Sequence, residues 1–135
     1  MTPWHPVLRV LHWSMAAMLL AMVGAGLVMA RAAETAAASG DFSARVLGLS
    51  IFEAYQLHKS VGVVLFALVL FRLVWRLTYR SPELPSAMPR TERLAALGTH
   101  AILYALMLTM PLTGWLLASA SPLGIPTLVF GVLPL

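Results

Sequence analysis

The sequence predicts an all-α membrane protein with three transmembrane helices, on three observations. The 135 residues are 60% hydrophobic and 10% charged, where a soluble domain carries roughly 25% charged residues. Three apolar stretches, at about residues 10–30, 55–75 and 94–118, each supply the roughly 20 residues that a bilayer crossing needs. A histidine (His12, His58 or His100) sits near one end of each stretch. An ionisable side chain is costly at that depth unless it has a partner, so these three mark candidate function.

Each element follows from its residues. After Arg9 the first span carries no charge up to Ala30. Val28-Met29-Ala30 has the look of a signal-peptidase site, but the apolar run is longer than a signal peptide's and contains His12 and Trp13. Arg31 to Glu53 reads as an Ala-rich linker with a turn at Ser39-Gly40-Asp41. The second span holds Val61, Val63 and Val64, yet the apolar run is too long for a strand. Pro82, Pro85 and Pro89 punctuate the second loop, and Thr91 is placed to cap the third helix. Pro111 should kink that helix, with Thr109 or a neighbouring helix taking up the freed carbonyl. Residues 119–135 are apolar but broken by Pro and Gly, and read as a segment that lies at the membrane surface without crossing. The whole is one membrane domain.

Charge sets the expected orientation. Five of nine basic residues (Arg72, Arg76, Arg80, Arg90, Arg93) flank the second loop. The positive-inside rule puts that loop and the N-terminus in the cytoplasm, His12 and His100 toward the inner face, and His58 toward the outer. The same placement makes the net charge of +4 a topology signal, not a nucleic-acid surface.

Composition also removes chemistries. No cysteine means no disulfide, thiolate metal site, iron–sulfur cluster or covalent haem attachment. There is no phosphate loop, G-x-S-x-G or H-E-x-x-H motif. Glu34, Asp41 and Glu53 all lie in the first linker, so no span carries the carboxylate expected of a proton-coupled transporter.

The histidines differ in context. Ala16, Leu19, Val23 and Gly26 continue the helical face of His12, and small residues there would admit a flat macrocycle. The competing reading is a headgroup-level histidine beside Trp4 and Trp13. His5, between Trp4 and Pro6, precedes the span and reads as interfacial. His58 has Gly62 one turn on, and Arg72 and Arg76 fourteen and eighteen residues on. Those spacings return to nearly the same face, roughly 21 and 27 Å away. One helix could thus ligate a haem near one membrane face and offer cations to propionates near the other. The alternative is that the arginines snorkel to headgroups. His100 and Tyr104 form a polar pair at helical spacing, suited to ligation, proton relay, quinone binding or helix packing. The eight methionines read as adaptable packing.

These residues resemble a known family. Leu8-Arg9-Val10-Leu11-His12-Trp13 is similar to the opening of the bacterial cytochrome b561 family. Tyr55-Gln56-Leu57-His58-Lys59-Ser60-Val61-Gly62 and Phe71-Arg72-Leu73-Val74-Trp75-Arg76-Leu77 resemble its second span. Met88-Pro89-Arg90, Glu92-Arg93-Leu94-Ala95, Thr99-His100, Tyr104 and Pro111-Leu112-Thr113-Gly114-Trp115-Leu116 resemble its third. The resemblance implies an inner-membrane four-helix up-and-down bundle with two b-type haems (heme b), one near each face. His12 would ligate the cytoplasmic-side haem and His58 the periplasmic-side haem, with partner histidines from a fourth span. His100 matches a third-span histidine that is not an axial ligand.

The sequence reaches Leu135 before any fourth span, and the expectation is an incomplete chain. The implied function is electron transfer between the quinone pool and a periplasmic redox partner or small oxidant or reductant, as a carrier or a quinone-linked oxidoreductase. The lipid bilayer is the expected surroundings, with a homodimer or a larger oxidoreductase complex as the assembly. A haem-free membrane anchor or assembly subunit is the rival reading, and a small transporter the third.

Overall fold

The computed structural model describes residues 6–78, 88–120 and 128–134. Three long helices dominate: α1 (Pro6–Ser39), α2 (Ile51–Thr78) and α3 (Arg90–Ser119). All three are long and apolar enough to cross a membrane. Two short antiparallel hairpins complete the described residues. One pairs β1 (Arg45–Val46) with β2 (Leu49–Ser50), and the other pairs β3 (Leu128–Val129) with β4 (Leu133–Pro134).

α1 continues nine residues past Ala30, into what the sequence reading treated as linker. The reason is composition: residues 31–39 are mostly alanine, the strongest helix former. Gly40 ends the helix in a left-handed conformation at φ 72°, its N–H bonded to the Ala36 carbonyl. Asp41 then turns the chain. The Ser43 N–H donates to its Oδ1 at 2.8 Å, and the Ser43 side chain and backbone together hold its carboxyl below the ordinary value.

α2 begins at Ile51 because Ser50 and Glu53 form a capping box. The Glu53 N–H donates to Ser50 Oγ at 3.2 Å, and the Ser50 N–H donates back to Glu53 Oε2 at 2.8 Å. α3 starts differently from expectation. Its cap is Pro89, with no side-chain cap bond, and Thr91 lies inside the first turn. A proline needs no N–H partner there, and Glu92 in the first turn suits the positive end of the helix dipole. Pro111 sits within one continuous helical segment. Thr109 does not take up the Met107 carbonyl that Pro111 frees: its Oγ1 donates to the Ala105 carbonyl at 2.8 Å, two residues earlier.

The helices pack antiparallel, with α2 between α1 and α3. On α1, buried Met15, Met29 and Ala36 fall in a seven-residue line with Leu8 and Met22. On α2 the matching lines are His58, Leu65, Arg72 and Gly62, Val69, Arg76. Sevenfold repeats on both partners are the pattern of a knobs-into-holes seam. Met15, Leu65 and Val69 form its centre, and Met18, Leu19, Met22, Tyr104 and Met107 pack around them. A second cluster of Met29, Val46 and Ala54 ties the first hairpin to the end of the α1–α2 pair opposite Pro6, the first residue of α1. Met15, Met18, Met22 and Met29 of α1 thus line one seam, whereas Met110 of α3 is exposed. None of the described residues of α3 is buried, so its apolar surface faces its surroundings, as lipid permits.

Candidate functional site

The α1–α2 register places the two histidines of that pair at opposite ends. A Cβ built on Gly26 of α1 would meet His58 Cε1 at 3.4 Å. One built on Gly62 of α2 would meet the Met22 methyl at 3.7 Å. Gly26 is fourteen residues beyond His12, about 21 Å of helical rise. His58 therefore stands roughly that far along the pair from His12.

His58 is half-buried, and its Nδ1 is buried with no hydrogen-bond partner. An unpaired polar atom in an apolar setting is costly, and an imidazole with a free ring nitrogen is a ready metal ligand. The small residue against its ring is Gly26, on the neighbouring helix, whereas Gly62 faces Met22. Sequence reasoning placed Gly62 beside His58 and assigned Gly26 to the His12 face. The signal for the true arrangement was the fourteen-residue step from His12 to Gly26, which needed the interhelical register to interpret.

The other end gathers more charge. His12 is exposed on α1, edge-on to Trp13 with ring centroids 5.4 Å apart. Arg72 and His100 both lie near enough to act electrostatically on it. Arg72 reaches back to α1, its guanidinium 3.5 Å from the Leu8 carbonyl. Arg76 lies over the Tyr104 ring, 5.4 Å from its centroid, a cation–π contact that joins α2 to α3. His100 is exposed, and its Nδ1 donates to the Ala96 carbonyl at 2.6 Å. A carbonyl can only accept, so Nδ1 carries the proton of this bond, and the neutral imidazole would keep its lone pair on Nε2. His100 and Tyr104 thus share a helix face but have separate partners.

Among the described residues no three His, Cys, Asp or Glu side chains come together as a metal cage. The available donors are isolated imidazoles, each suited to one axial position of a macrocycle that brings its own four nitrogens. The buried unpaired Nδ1 of His58 and the glycine against its ring fit such a group at the hairpin end of the pair.

Three apolar helices with lone histidines at opposite ends of the α1–α2 pair define a multi-pass membrane protein with isolated imidazole donors. Comparison with known proteins supplies the particular family. A model described as prokaryotic cytochrome b561 matches residues 3–133, and the chain belongs to that family of membrane b-type cytochromes. It is similar to cytochrome b561 homolog 2 of Escherichia coli (strain K12), 40% identical over 80 residues. That match covers 58% of this chain and 41% of the relative, so the chain spans less than half of that relative's length. No solved structure matches.

Proposed function

We propose that this chain carries electrons across the bacterial inner membrane, between the quinone pool and a periplasmic redox partner or small oxidant or reductant. The observation that carries the reading is the separation of His12 from His58 along one packed helix pair, with the Nδ1 of His58 buried and unpaired. His12 and His58 each offer one axial ligand, to a cytoplasmic-side and a periplasmic-side haem b. Bound haem supplies one-electron carriage, and imidazole on both axial positions leaves iron no open site for oxygen chemistry. The partner ligands are those that the family resemblance places on a further helix. The chain's own residues orient the imidazoles, exclude water through the methionine seam and balance propionate charge with Arg72.

His100 and Tyr104 serve the quinone side. The Nε2 lone pair of His100 is available to accept a hydroxyl proton from a quinol. Purified full-length protein in liposomes should show a b-type reduced-minus-oxidised spectrum, and quinol should reduce it. Absence of the spectrum sinks the haem reading, and a spectrum that quinol cannot raise sinks the quinone assignment.

Two further results are expected. Arg72→Gln should lower the midpoint potential of one haem by on the order of tens of millivolts, since a nearby cation disfavours oxidised iron. Arg76→Gln should shift it less, its charge being drawn to the Tyr104 ring and toward headgroups. Redox titration decides, and unshifted midpoints in Arg72→Gln would leave that arginine a topology residue. Reporter fusions test orientation. A cytoplasm-only signal is expected at Ser86, which lies outside the described residues, and a periplasm-only signal at Ala38. The opposite pair of signals reverses the topology.

A further inference from the structure

We infer that the two hairpins form a lipid-bedded collar at the outer end of the protein, with Leu47 and Phe130 as its anchors in the outer leaflet. This inference rests on the membrane fold, and its outer leaflet on the proposed orientation, not on haem or quinone binding.

Depth is the first argument. Arg9 and Arg76 mark the inner end of the α1–α2 pair. Met29 and Gln56 each lie twenty residues from one of them, roughly 30 Å of helix and the thickness of the hydrocarbon layer. The first hairpin packs Val46 against Met29 and Ala54, at that boundary. The second is bonded to Gln56 and Ser60, at the boundary and one turn inside it. α1 then rises ten residues beyond Met29, so the hairpins sit well below its outer tip.

Backbone conformation is the second. Leu47 and Phe130 have φ of 53° and 50°, each followed by a glycine with positive φ. Turns normally fill such positions with Gly, Asn or Asp, because a bulky side chain is strained there. Both hairpins instead carry a large apolar residue, and it points outward: Leu47 is 87% exposed and Phe130 58%. In water that arrangement is unfavourable twice over, whereas at a lipid boundary the exposed side chain is solvated by acyl chains.

Hydrogen bonding is the third. Irregular backbone near hydrocarbon must find partners within the protein. The Leu128 N–H donates to Gln56 Oε1 at 3.2 Å, and the Phe130 N–H donates to Ser60 Oγ at 2.8 Å. Ser60 is a fully buried polar side chain on an apolar helix, and these bonds explain it.

The chain has no cysteine, which makes single-site labelling clean. Leu47→Cys and Phe130→Cys, each spin-labelled in the full-length protein in phospholipid liposomes, are compared with Leu20→Cys in mid-span and Ala38→Cys beyond the membrane. Collision with oxygen relative to a water-soluble nickel chelate should be severalfold higher at 47 and 130 than at 38, and lower than at 20. A ratio equal to that of Ala38 overturns the collar. So does protection from both reagents, which would mean a protein contact, including one with a second copy. Val132→Cys, beside the second turn, reports the same depth if the Phe130 variant does not fold.

Discussion

His58→Ala in the full-length protein should lose one haem equivalent and retain the other. Its Nδ1 is a buried, unpaired polar atom, and alanine supplies no replacement ligand. His12 lies about 21 Å away along α1, so the inner ligand should be undisturbed. Pyridine haemochrome analysis per mole of protein gives the stoichiometry, and redox titration shows which midpoint has gone. Unchanged haem content and spectrum would remove the ligand role. His100→Ala is the comparison: it should keep both haems while slowing reduction by quinol. Loss of a haem there would mean that the ligand pairing has been assigned to the wrong histidine.

Gly26→Leu should reproduce the His58→Ala phenotype from a different helix. A Cβ at Gly26 already reaches 3.4 Å from His58 Cε1, and a branched side chain would fill the space that the ring occupies. Overpacking at such a contact typically costs about 1–3 kcal/mol, or else the ring must turn. Either outcome misorients the imidazole. Gly26→Ala should be milder, because a shift of a few tenths of an ångström accommodates one methyl. Gly24→Leu is the control on the same helix, since a Cβ there meets nothing within 4 Å. Equal haem content in Gly26→Leu and Gly24→Leu would show that Gly26 does not shape the outer site.

The seam gives an order to methionines that the sequence alone reads only as adaptable packing. Met15, Met22 and Met29 are seven residues apart, a spacing that matters only once a partner helix is present. Other signals were local and could have been read. Ser50-Ile51-Phe52-Glu53 is a capping-box pattern, and it starts α2 four residues before the apolar run suggested. The alanines after Arg31 extend α1 for a similarly local reason. The capping role expected of Thr91 fell to Pro89 because a proline at a helix start has no N–H to satisfy.

By itself the sequence determined whatever depends on neighbours along the chain. Apolar length specified three spans, and arithmetic at 3.6 residues per turn put His58 and Arg72 on one face of α2. Family membership was legible from local motifs for the same reason. Only the tertiary structure decided which residue of one helix meets which residue of another. Gly26 against His58, Arg72 reaching the Leu8 carbonyl, Arg76 over Tyr104, and Ser60 and Gln56 bonded to the second hairpin all belong to that class. The physical reason is register: helix packing sets the offset between chains through side-chain shape summed over the whole seam, and no single helix contains it.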